Sequence, residues 1–121
     1  MTPLGARMRA MREERGITLK EMASALRVSS AYLSALEHGK RGKPTWSLLQ
    51  RIIAYFNVIW DEAEDLQRLA ELSDPRITID TGGLAPEATE LANRLAADIG
   101  KLSREDLGYL TTEVLKRSRR V

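Results

Sequence analysis

The chain has no cysteine. Disulfides, thiolate nucleophiles and cysteine metal sites are therefore excluded, and a reducing compartment is compatible with the composition. A single histidine, His38, is the whole supply of imidazole. One histidine cannot build a zinc site without carboxylate help, and no H-x-x-x-H or H-E-x-x-H spacing exists. No Gly-rich phosphate loop or cluster of convergent polar groups occurs. No nucleophile and base stand at a workable spacing. We expect no metal, no cofactor, no catalytic residues and no enzyme, and no small-molecule effector is evident. No run of about 18 apolar residues occurs. The N-terminal "MTPLGARMRAMREERG" is charged throughout and lacks the apolar stretch of a signal peptide. These absences predict a soluble, cytoplasmic chain without membrane contact.

The 121 residues carry a net charge of +2, which hides an asymmetry. In residues 1–57 ten Lys and Arg face four Asp and Glu, a balance of +6; in residues 58–121 nine face thirteen, a balance of −4. A basic half suits a polyanionic partner, and the acidic half must do something else.

Apolar periodicity predicts an all-α chain. Leu4, Met8 and Met11 mark a first helix ending near Gly16. Thr18 opens a second, with Glu21 completing a T-x-x-E capping box and Leu19, Met22, Ala23 and Leu26 facing inward. "RVS" interrupts the pattern, and Ser29 caps a third helix with Leu33 and Leu36 inside. Gly39 suits its left-handed end. After the loop "KRGKP", Thr45 caps a fourth helix with Leu48, Leu49, Ile52, Ile53 and Phe56 apolar. A fifth is expected from about Trp60 to Leu72. Asp74-Pro75 stops it, and Ile77-Thr78-Ile79 alternates like one short strand. Pro86 then begins a sixth helix, and Ser103 with Asp106 three residues on begins a seventh. The expected divisions are 1–60, a connecting helix and linker over 61–82, and a helical oligomerisation region over 83–121.

The second helix, a three-residue turn and the third helix make a helix-turn-helix. A helix fits the major groove of B-DNA, where base-pair edges are distinguishable. A steeply packed preceding helix braces it and aims its own N-terminus, here Thr18, Leu19 and Lys20, at a phosphate. Lys40, Arg41 and Lys43 would then lie along the backbone and contribute affinity through counterion release.

These residues carry a family resemblance. "GITLKEMASALRVSSAYLSALEHGKRGKPTWSLLQRIIAYFNV" resembles the Cro/lambda-repressor type helix-turn-helix domain, also called the Xre family. Matching positions include Gly16-Ile17-Thr18, Glu21, Met22-Ala23, Leu26, Val28-Ser29, Leu33-Ser34, Leu36-Glu37, Gly39-Lys40 and Pro44. The resemblance covers about residues 4–60 and implies a five-helix bundle with the third helix as recognition helix. It implies a sequence-specific transcriptional regulator, a repressor in type, bound to double-stranded DNA in the nucleoid. Its base-facing residues would be Ser30, Ala31, Ser34 and Ala35, beginning from the Ser29 cap, with Tyr32 at the side. Small side chains let the helix approach the groove floor, and Ala methyls suit thymine methyls. Long bidentate readers are missing, so direct readout should be modest and DNA shape should supply much of the specificity. Arg12 and Glu37 resemble a family pair that bridges the first helix to the end of the third. Two departures stand out. Leu19 occupies a position where Gln often makes a contact that Leu cannot, and Arg27 stands where many members have Gly. Trp46 matches a usually apolar position and is expected in the core. Tyr32 suits either a phosphate contact or partial core cover, and His38 suits solvent.

In the second half, Leu84, Ala88, Leu91, Leu95, Ile99 and Leu102 form one apolar stripe, and Leu107, Leu110 and Val114 another. Two such helices suit an antiparallel hairpin, too small to hold a core of its own. The simplest partner is a second copy, which would place two recognition helices about 34 Å apart on a palindrome. The alternative is an antitoxin whose residues 61–121 neutralise a toxin.

Overall fold

A computed structural model describes residues 1–119. Seven α-helices follow one another: α1 (Pro3–Glu14), α2 (Leu19–Leu26), α3 (Ser30–His38), α4 (Trp46–Phe56), α5 (Asp61–Glu71), α6 (Pro86–Asp98) and α7 (Arg104–Ser118), with a 3-10 turn over Ile99–Lys101. No strand occurs among the described residues. The strand expected at Ile77-Thr78-Ile79 is a correction: the segment is exposed and finds no partner with which to pair. Alternation alone cannot make a strand when nothing satisfies its backbone groups.

Five of these helices, α1 to α4 and α7, begin where a side-chain oxygen satisfies an orphan amide. Thr2, Thr18, Ser29, Thr45 and Ser103 each accept a hydrogen bond from a backbone N–H three residues on. Each such cap stabilises by about 1 kcal/mol. The capping box expected at Thr18 forms only by half: Thr18 Oγ1 accepts from the Glu21 amide at 3.1 Å, but the Glu21 carboxylate is not seen to return the bond. At Ser103 both halves form.

The chain divides into two units, Met1–Ile77 and the segment from Thr78 onward. The first holds the core. Leu4 and Met8 of α1, Met22, Ala23 and Leu26 of α2, Leu33 and Leu36 of α3, and Leu48, Leu49, Ile52, Ile53 and Phe56 of α4 are buried together. Burying each large side chain stabilises by about 1.5–3 kcal/mol. α5 completes this core, since Leu66 and Ala70 are buried in it as well. Helix α5 therefore packs within the first unit. Its end is tied back to α1, where the Leu4 amide donates to Ser73 Oγ at 2.9 Å.

In the second unit, no residue of α6 or α7 is buried. Ala88, Leu95, Leu102 and Leu107 are half-covered. Leu84, Leu91, Ile99, Leu110 and Val114 stand exposed, as do Tyr109 and Leu115.

Candidate nucleic-acid interface

The turn between α2 and α3 is made by Arg27, which adopts φ 61°, ψ 40° as the cap of α2. A left-handed conformation costs a non-glycine residue about 1 kcal/mol. The Val28 amide closes the turn by donating to the Ala23 carbonyl at 3.0 Å. From α4, Arg51 reaches across 25 residues and donates from Nη1 to the Leu26 carbonyl at 2.6 Å. That bond satisfies an orphan carbonyl at the end of α2 and fastens the bihelical unit to α4.

The far end of α3 is held from α1. Thr2 donates its amide to the Glu37 carbonyl at 3.1 Å. Gly5 lies so close to Glu37 that an added Cβ would stand 2.7 Å from both its carbonyl carbon and its Cα. Arg12 and Glu37 do pair, with Nε facing Oε2 at 3.5 Å and Nη2 facing Oε1 at 3.5 Å. Their side chains are 12% and 3% exposed, so the pair is shielded. The geometry is a loose electrostatic contact, and Arg12 also donates to the Ile17 carbonyl at 3.3 Å.

These restraints fix which face of α3 is free. Leu33, Leu36 and Glu37 are buried. Ser29, Ser30 and Ala31 are exposed, while Ser34 and Ala35 are half-buried, so the open face is narrower than expected. His38 is exposed on the same side, about two helical turns beyond Ala31. Tyr32 is half-buried and packs against the core, and the Arg41 guanidinium lies 5.8 Å above its ring. Gly39 ends the helix at φ 79°, and the Lys40 amide donates back to the Ala35 carbonyl at 2.8 Å. Lys40, Arg41 and Lys43 are exposed beyond it, and none has a carboxylate partner among the described residues.

At the start of α2, Thr18 and Lys20 are exposed. Leu19 is half-buried against the core, as its inward place in the apolar pattern predicts, so only its backbone is left to face a phosphate. Trp46 is a correction. It is 67% exposed, because the first turn of α4 lies at the rim of a core already filled from Leu48 onward. There it lines a shallow pocket with Lys43, Pro44, Gln67 and Glu71. Sequence reasoning missed Arg51, which carries no local signal. It also missed Gly5, whose signal was available: a glycine inside a helical apolar pattern marks a close backbone approach.

A small, serine- and alanine-lined helix face, braced by a second helix at its N-terminal side and flanked by unpaired cations, defines a helix-turn-helix module. Residues 3–66 match the family described as a helix-turn-helix domain. The uncharacterized HTH-type transcriptional regulator RghRB of Bacillus subtilis (strain 168) is 33% identical over 61 residues, 50% of this chain and 44% of that one. The chain thus spans less than half the length of RghRB. The HTH-type transcriptional repressor RghR of the same organism is 28% identical over 132 residues, 98% of both chains. A chain of the solved SinR protein/SinI protein complex aligns over 96% of this chain and 99% of that one, with TM-score 0.45 and 24% identity. The chain belongs to the helix-turn-helix domain family, whose bihelical unit is a DNA-binding device.

Proposed function

We propose that this protein regulates transcription by docking α3 in the major groove of duplex DNA, as a repressor and as a homodimer. The observation that carries the reading is the open Ser30–Ala31 edge of α3, set beside three exposed cations on the next loop. Ser30, Ala31, Ser34 and Ala35 then read bases at close approach. Thr18, Lys20 and the loop Lys40, Arg41 and Lys43 meet phosphates. The similarity to RghR supports repression as the output.

The homodimer rests on the second unit. Its exposed Leu84, Leu91, Ile99, Leu110 and Val114 are unlike the surface of a free-standing pair of helices. A second copy would cover them and supply the two-fold symmetry that a palindromic site requires.

Genome-wide mapping of bound sites, then a salt titration on the best site, tests the reading. Replacing Lys40, Arg41 and Lys43 with Ala should lower the log–log salt slope by up to about 3 and weaken all sequences alike. Ala31→Gln should change the preferred sequence. An unchanged preference, with full affinity, would remove α3 from the base-reading role.

A further inference from the structure

Arg76 lies beyond the end of α5, 35 residues after Arg41 in sequence, yet the fold brings the two to one cleft. Gly39, Lys40, Arg41 and Gly42 line one side of it, and Asp74, Pro75 and Arg76 the other, around an open volume of about 690 Å³. All seven residues lie within the first unit. We propose that this cleft is a phosphate-binding site, with Lys40, Arg41 and Arg76 as its cations. Its favoured occupant is a backbone phosphate of the duplex, and that choice rests on the DNA-binding reading above.

Three cations face the cleft and only one carboxylate does. Asp74 directs Oδ1 at the Arg76 amide, 3.0 Å away, and so braces the turn that presents Arg76. None of the three cations has an ion-pair partner among the described residues, whereas Arg9, Arg12, Arg68, Arg94, Lys101 and Arg117 all do. Three like charges against one carboxylate leave a net repulsion, and an anion between them relieves that cost. Two of the lining residues are glycines. Gly39 and Gly42 hold φ of 79° and 75°, and a Cβ on Gly42 would stand 4.0 Å from Asp74 Oδ1, inside the cleft. The guanidiniums of Arg41 and Arg76 match the fork geometry of a phosphate. Arg41 also lies over the Tyr32 ring, which joins the cleft to the recognition helix. The duplex is therefore the nearest source of phosphate.

The test uses the full chain. Its binding to a random-sequence duplex of about three helical turns is followed by fluorescence anisotropy across salt concentrations. Arg76→Ala should lower the salt slope by about 0.9 and weaken binding at 0.1 M salt about eight-fold, for all sequences alike. Arg76→Lys should restore the slope. Thermal melts of the free protein in millimolar inorganic phosphate form the second arm, because a ligand that binds only the folded state raises the midpoint. A slope lowered by Arg76→Ala supports the site with a duplex phosphate as occupant. An unchanged slope, with a phosphate-induced midpoint rise that Arg76→Ala abolishes, supports the site with a free phosphate compound as occupant. If Arg76→Ala alters neither quantity while Lys40→Ala still lowers the slope, the cleft proposal is overturned and the DNA reading stands. If the wild type ignores duplex at low salt, the DNA reading fails, and the phosphate melts alone decide the cleft.

Discussion

Gly5→Ala sets two physical effects against each other, and the structure says which wins. Gly5 sits inside α1, where alanine is the better helix former by about 1 kcal/mol. Propensity alone therefore predicts stabilisation. Packing predicts the reverse. The new methyl would lie 2.7 Å from the Glu37 carbonyl carbon and from its Cα, where carbons rest at about 3.5–4.0 Å. Both obstacles are backbone of α3, so no side-chain rotation makes room. α1 must withdraw by about 1 Å, which stretches the Thr2–Glu37 hydrogen bond and the Arg12–Glu37 pair. Overpacking of this kind costs about 3 kcal/mol, and the weakened bond adds about 1 kcal/mol. Less the propensity gain, the net loss is about 3 kcal/mol. For a unit of this size the melting midpoint should fall by at least about 12 °C. Far-UV circular dichroism of the full chain on heating measures it. Ala10→Gly on the exposed side of the same helix is the control, with an expected loss of about 1 kcal/mol from propensity. A Gly5→Ala midpoint equal to or above that of the wild type would refute the close-approach argument.

Two further outcomes are expected. Arg12→Met strands the Glu37 carboxylate in a shielded position and should cost about 3 kcal/mol, most of it recovered in the Arg12→Met/Glu37→Leu double variant. Urea titrations check this, and a single variant within about 0.5 kcal/mol of wild type would contradict a structural role for the pair. Trp60 precedes α5 at φ 55°, ψ −124°, a conformation that favours glycine, and it is 81% exposed. Trp60→Gly should relieve about 2 kcal/mol of strain at about 1 kcal/mol of unfolded-state entropy, raising the midpoint by several degrees. A midpoint that falls by that much would mean the strain does not exist.

The sequence by itself determined the features that depend on neighbours three or four positions away. Caps at Thr18, Ser29, Thr45 and Ser103 are local hydrogen bonds, so the starts of α2, α3, α4 and α7 were legible to within a residue. The inward positions of α2, α3 and α4 followed from a helical period of 3.6, and the left-handed end of α3 from Gly39. The turn at Arg27 was legible too, because its conformation is set within five residues. What only the tertiary structure decided lies between residues far apart in the chain. Arg51 meets Leu26, Ser73 meets Leu4, Gly5 meets Glu37, and Arg76 shares a cleft with Arg41. Whether Trp46 is covered, or Ile77–Ile79 finds a strand to pair with, likewise depends on what the folded chain brings near. A side chain's local preference names its possible partners, but distance in space selects among them, and that distance is a property of the assembled core.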